Sequence, residues 1–117
     1  MKLTTKEEEL MQIIWDLDRP LIRDIYEQMP EPRPHYNTIA TVIKKLEDKG
    51  MVRCHKIGHV KQYEALVQKE TYREKILKGT AEQYFDNSFK DMVSYFAKSE
   101  KVSPEELKAI IKMIENQ

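Results

Sequence analysis

Apolar side chains in the first third of the chain recur at helical spacing. Leu10, Ile13, Ile14 and Leu17 stand at i, i+3, i+4 and i+7, flanked by Met11 and Trp15. That stripe predicts an amphipathic helix over about 5–17. Thr5-Lys6-Glu7-Glu8 supplies its start signal, a hydroxyl followed three residues on by a carboxylate, and Arg19-Pro20 its end. Ile22, Ile25, Tyr26 and Met29 repeat the spacing in a second, shorter helix. Pro30, Pro32 and Pro34 then forbid helix and make a stiff turn. Ile39, Val42, Ile43 and Leu46 carry a third helix over about 36–49, with Gly50 where a left-handed C-terminal cap belongs.

After Gly50 the period changes. The stretches 51–57 and 60–66 each read as extended, with Gly58-His59 between them, which is the pattern of a β-hairpin. Beyond Val67 the pattern is helical again. A long helix over about 69–85 is marked by Tyr72, Ile76, Thr80 and Tyr84 on one side. Asn87 or Ser88 caps the next helix, which bears Phe89, Met92, Val93 and Phe96. Ser103-Pro104-Glu105-Glu106 opens the last one, with a cap, a proline at the first helical position and an acidic first turn. Leu107, Ile110, Ile111 and Ile114 follow.

The chain therefore reads as mainly α with a small β-hairpin. Three short helices followed by a hairpin describe a winged helix-turn-helix over 1–67, and the helices of 68–117 describe an arm. In that architecture the third helix lies in the major groove of duplex DNA, and the hairpin reaches along the neighbouring backbone. Asn37 and Thr41 suit base edges or phosphates, and Lys44 and Lys45 suit phosphates. His35, Tyr36, Thr38 and Ala40 join them as candidate contacts, as do Lys56, His59 and Lys61 on the wing. Taken singly, each feature is also what a solvated helix face or a structural hairpin looks like; the order of the elements favours the DNA reading. The rival reading is a winged-helix protein-interaction module that binds no DNA.

Charge changes this picture only through its distribution. The 117 residues carry 20 basic and 20 acidic side chains, so net charge gives no support to nucleic-acid binding. Yet Arg33, Lys44, Lys45, Lys49, Arg53, Lys56 and Lys61 crowd the stretch 33–63, opposed there by Glu47 and Asp48 alone. A local positive segment in a neutral chain is the footprint of a face that meets phosphate. The one cysteine, Cys54, excludes an internal disulfide framework. No catalytic triad, glycine-rich phosphate loop or His-Glu metal motif is present, so no enzyme activity, cofactor or metal is expected. The charged N-terminus and the lack of a long apolar run predict a cytoplasmic protein with no direct membrane binding.

Four strings carry a resemblance that spans essentially the whole length: LTTKEEELMQIIW from Leu3 to Trp15, NTIATVIKKLEDKGMV from Asn37 to Val52, KIGHVKQYEAL in the wing, and FDNSFKDMVSYF near the end. Together they resemble the penicillinase and methicillin-resistance repressors, the BlaI/MecI/CopY family. The resemblance implies a homodimer on a palindromic double-stranded operator, controlling a resistance or stress-response gene. It also implies a membrane sensor-protease as a partner in the antibiotic-linked members, with cleavage at an Asn-Phe bond in the arm. The aligned bond here is Tyr95-Phe96, where the Phe matches and the Asn does not. The paired C-terminal cysteines of copper-responsive members are absent. Family members often place a basic residue where Ala40 stands, so the operator sequence does not transfer.

About 50 residues in three helices hold little core of their own. Phe85, Phe89, Met92, Val93 and Phe96 make one apolar face, and Leu107, Ile110, Ile111 and Ile114 another; Tyr72 and Ile76 extend the set. These are the expected dimer contacts, and the alternative is that they fold back onto the head within one monomer. Each large side chain covered by a partner gains about 1.5–3 kcal/mol. Replacing Phe96 or Ile111 by Ala is expected to weaken self-association, read by analytical ultracentrifugation. A dimer of undiminished affinity in both variants would remove these residues from the interface.

Overall fold

The computed structural model describes residues 2–116. Its elements run α1 (Thr5–Asp16), α2 (Ile22–Gln28), α3 (Tyr36–Asp48), β1 (Val52–Ile57), β2 (Val60–Ala65), α4 (Lys69–Tyr84), α5 (Phe89–Lys98) and α6 (Pro104–Glu115). This is the expected order of a winged helix. The two strands pair antiparallel, from Val52 opposite Ala65 to Ile57 opposite Val60. Compact packing divides the chain inside α4, between Glu74 and Lys75. Among the described residues no helix is long and apolar enough to cross a membrane.

In the first unit the apolar stripes read from the sequence meet in one core. Leu10, Met11 and Ile14 of α1, Ile25 of α2, and Ile39, Ile43 and Leu46 of α3 are buried, and Val52 and Tyr63 close it from the sheet. Burying such side chains supplies the main drive for helices too short to persist alone. The C-terminus of α3 ends as Gly50 predicts. Its φ is +76°, the Gly50 N–H donates to Glu47 O (3.0 Å) and the Met51 N–H to Leu46 O (2.9 Å). This doubly bonded cap, with Leu46 and Met51 both buried, turns the chain directly into β1. Gly58, at φ +64°, takes the first position of the two-residue hairpin turn, where a left-handed residue is needed.

The start of α1 differs from expectation. Thr4, not Thr5, is the cap: Glu7 N–H donates to Thr4 Oγ1 (3.2 Å) and Thr4 N–H donates to Glu7 Oε1 (2.7 Å). The reason lies at the far end of α3. Lys49 Nζ donates to the same Glu7 Oε1 at 2.6 Å, and Glu7 is only 2% exposed. A register capped by Thr5 would take Glu7 out of the capping position and away from this pair. Tyr72 also departs from expectation. It lies 7% exposed in the first unit, its ring 5.8 Å from that of Trp15 and its hydroxyl donating to Glu8 Oε2 (3.1 Å). It therefore belongs to the packing of the head and has little surface left for a second chain. Trp15 Nε1 donates to Val67 O (2.9 Å), fixing the exit of the wing to α1.

The second unit has sparse packing. Ala81 is buried, and Phe85 meets Tyr95 with ring centroids 5.8 Å apart. The predicted caps are in place: Asp91 N–H donates to Ser88 Oγ, and Glu106 N–H to Ser103 Oγ. No residue of α5 or α6 is buried.

Burial by itself raises the Glu7 pKa, and the hydrogen bonds from Lys49 and Thr4 outweigh it, holding the carboxyl below its usual value. A carboxyl depressed in the folded state stabilises above its unfolded pKa, about 4.3, and that contribution is lost as pH falls through the lower folded value. Lys49→Met, which leaves Glu7 buried beside an apolar group, is expected to cost about 1–3 kcal/mol at pH 7. Urea denaturation at pH 7 and pH 3.5 checks it: the gap between variant and parent should shrink at the lower pH.

Candidate nucleic-acid interface

The residues of α3 divide by face. While Ile39, Ile43 and Leu46 point into the core, Asn37, Thr38, Thr41, Lys44 and Lys45 are exposed, together with Tyr36 and with His35 just before the helix. Ala40 is half-buried. His35 occupies the cap position of α3 without a side-chain hydrogen bond to the first turn, and that turn holds no acidic residue. The helices α1 and α6, in contrast, have side-chain caps and acidic first turns. The N-terminal end of α3 thus presents its partial positive charge uncompensated, a favourable place for phosphate.

Around that end the side chains are held in place. The ring of Tyr36 lies 5.7 Å from that of Tyr26 of α2, and the Arg33 guanidinium sits 5.1 Å over the Tyr26 ring. Arg33 also donates to Glu27 O (3.4 Å), so the proline-rich turn is pinned against α2. Thr41 Oγ1 donates to Asn37 O (2.9 Å), leaving its oxygen lone pairs to receive a hydrogen bond from outside. Lys44 is less free than its position suggests: its Nζ is 3.2 Å from Asp48 Oδ1 and 3.6 Å from Glu47 Oε2. The hydrogen bond to Asp48 raises its pKa, and its charge is partly offset.

On the wing, Lys56, His59 and Lys61 are exposed, and Lys56 is the register partner of Lys61. Two like charges directly across an antiparallel pair destabilise the hairpin. Folding alone gives no reason for that pair. The wing's base is anchored by features that local pattern did not reveal. Leu21 forms an isolated β-bridge with Gln62, and Tyr63 N–H donates to Pro20 O (2.9 Å), so the two strands gain a short third edge. An apolar residue directly after Pro20 was the available signal. Glu64 joins His55 Nε2 (2.8 Å) and Arg19 Nη2 (3.1 Å), tying the hairpin to the turn after α1. Burial, with Cys54 beside it, pushes the Tyr63 phenol up to about 12, so it stays protonated at the base of the sheet. Among the described residues no three His, Cys, Asp or Glu side chains gather as metal ligands.

A three-helix core that leaves the polar face of α3 exposed beside a basic hairpin defines the class: a winged-helix protein. The sequence profile of the Penicillinase repressor family matches residues 3–116, and the chain belongs to that family. It is 26% identical over 110 residues to the methicillin resistance regulatory protein MecI of Mammaliicoccus sciuri, across 93% of this chain and 89% of that one. The protein is accordingly a DNA-binding transcriptional repressor.

The hydrogen bond from His55, followed by the Arg19 charge, holds the Glu64 carboxyl below its usual pKa. Its contribution is present above the ordinary carboxylate range and disappears as pH falls below it. Glu64→Gln is expected to loosen the wing base. Faster hydrogen exchange at the Tyr63 amide at neutral pH, converging with the parent in acid, is the readout.

Proposed function

We propose that the protein is a homodimeric repressor of a resistance or stress-response gene. In this reading α3 enters the major groove of each half of a palindromic operator, and the wing follows the adjacent backbone. The observation that carries it is the exposed polar face of α3 beside the facing lysines Lys56 and Lys61. Asn37, Thr38 and Thr41 offer the groups that read base edges; His35, Tyr36, Lys45, Lys56, His59 and Lys61 position the backbone. Lys44 reaches phosphate by exchanging its carboxylate partners for DNA. Ala40 leaves its part of the helix without a direct polar contact. Opposed lysines beside a polar helix face favour a regularly spaced polyanion over an uncharged protein surface.

The second copy is called for by the C-terminal unit. Phe89 is 46% exposed and Ile111 54%, and Val93, Phe96, Ile110 and Ile114 stand exposed with them. Apolar surface on this scale is characteristic of an interaction face. Met92 and Leu107 are half-buried, as are Ile76 and Phe85, and complete the face at its edges. A palindromic operator calls for two recognition helices about 34 Å apart, one turn of duplex. Inactivation by a membrane sensor-protease fits the Tyr95-Phe96 bond, in the C-terminal half of α5 and with both residues exposed. A cut there removes α6 and splits the apolar face, so it acts by dissolving the dimer.

Fluorescence anisotropy with a palindromic duplex from the protein's own promoter, at several salt concentrations, tests the reading. Tight, salt-sensitive binding is expected. Lys44→Ala should weaken it and reduce the slope of log K against log salt by about 1. An unchanged slope removes the lysine from the phosphate contacts, and absence of any promoter binding overturns the operator reading.

A further inference from the structure

A cleft of about 510 Å³ opens between α3, the start of α2 and the wing. Its walls are Tyr36 and Ala40 from α3, Leu21 and Ile22 at α2, and Val60 and Tyr63 from β2. Arg23, His59 and Lys61 also line it. Its single lining carboxylate, Glu47, is 3.6 Å from the lining Lys44, so those two charges offset each other. Among the described residues no carboxylate lies within ion-pair distance of Arg23 or Lys61. The cleft therefore combines aromatic and aliphatic walls with a surplus of positive charge. Its volume falls in the range of small-molecule sites, roughly 300–1,000 Å³, which are mostly apolar with a few polar groups that fix orientation. The small side chain of Ala40 keeps it open.

We propose that this cleft binds a small organic monoanion with a flat apolar body, of the aromatic carboxylate class, and that its occupancy and operator binding exclude one another. The ring system lies against Tyr36, Ala40 and Val60, and the carboxylate faces Arg23 and Lys61. The exclusion rests on the operator reading above. Tyr36, Ala40, Lys44, His59 and Lys61 belong both to the cleft and to the proposed DNA face. A bound anion covers Tyr36 and neutralises Lys61, which the DNA backbone needs. The repressor would then respond to a small molecule directly, with no bond cut.

Naphthalene-2-carboxylate is the probe, and its uncharged carboxamide the control. In ¹H–¹⁵N spectra of the full-length protein, the carboxylate is expected to shift amides in 21–23, 36–44 and 59–63, with a Kd on the order of 1 mM. The carboxamide should bind at least about tenfold more weakly, the loss expected for a charge-assisted contact. Arg23→Gln should weaken the carboxylate several-fold and leave the carboxamide unchanged. Ala40→Arg, which fills the cleft, should abolish binding of both. Added to the operator complex, the carboxylate should release DNA competitively, with a half-release concentration that starts from its Kd and rises in proportion to the free operator concentration.

No shifts in those segments, or equal binding of acid and amide, overturns the site while operator binding by anisotropy continues to stand. Shifts without release of DNA overturn the exclusion. Cleft shifts in a protein that binds no operator support the ligand site and sink the DNA reading instead.

Discussion

The working face of this protein depends on how one helix is held from behind. The apolar side of α3 is buried through Ile39, Ile43 and Leu46, and the cap at Gly50 leads straight into β1. At its C-terminal end Lys49 reaches the buried carboxylate of Glu7 in the first turn of α1. Hydrophobic burial is non-directional and would tolerate some sliding of one helix on another. A charged hydrogen bond in a buried place does not, because separating it leaves Glu7 without compensation. Glu7 Oε2 has no hydrogen-bond partner among the described residues, so the pair is imperfect as a source of stability. Its evident effect is positional: it sets the register in which the polar face of α3 looks outward.

The wing follows the same logic with weaker contacts. Its base joins Leu21 and Pro20 through backbone hydrogen bonds and Arg19 through Glu64, while Lys56, His59 and Lys61 stand exposed towards its tip. A rigid base and a charged, exposed tip suit an element that follows a phosphate backbone. Between wing and helix lies the cleft, and Lys44, His59 and Lys61 of its lining are also among the proposed DNA contacts. Repression and release by a small anion would then draw on one set of cations.

The two units show opposite balances of core and surface. The head buries side chains from every one of its elements, whereas α5 and α6 bury none. Three helices of this length cannot exclude water from faces as wide as those of Phe89 to Phe96 and Ile110 to Ile114. In the proposed dimer a second copy covers these faces, and the integrity of the arm would then bear on the spacing of two heads. A cut or a mutation far from DNA would act through that tie.

Helix positions, the hairpin, both glycine turns and the caps at Ser88 and Ser103 were legible in the chain, because each follows from contacts within a few residues. The core stripes were legible too, since burial imposes a period that survives in sequence. The Thr4 cap, the place of Tyr72, the third edge at Leu21 and the Glu64 cluster were not. Each is decided by a partner tens of residues away: Lys49 for Glu7, Trp15 for Tyr72, Gln62 for Leu21. The sequence by itself determined which segments are helix or strand and which side of each is apolar. Only the tertiary structure decided which polar side chains meet, because that depends on distances between elements, on which local periodicity is silent.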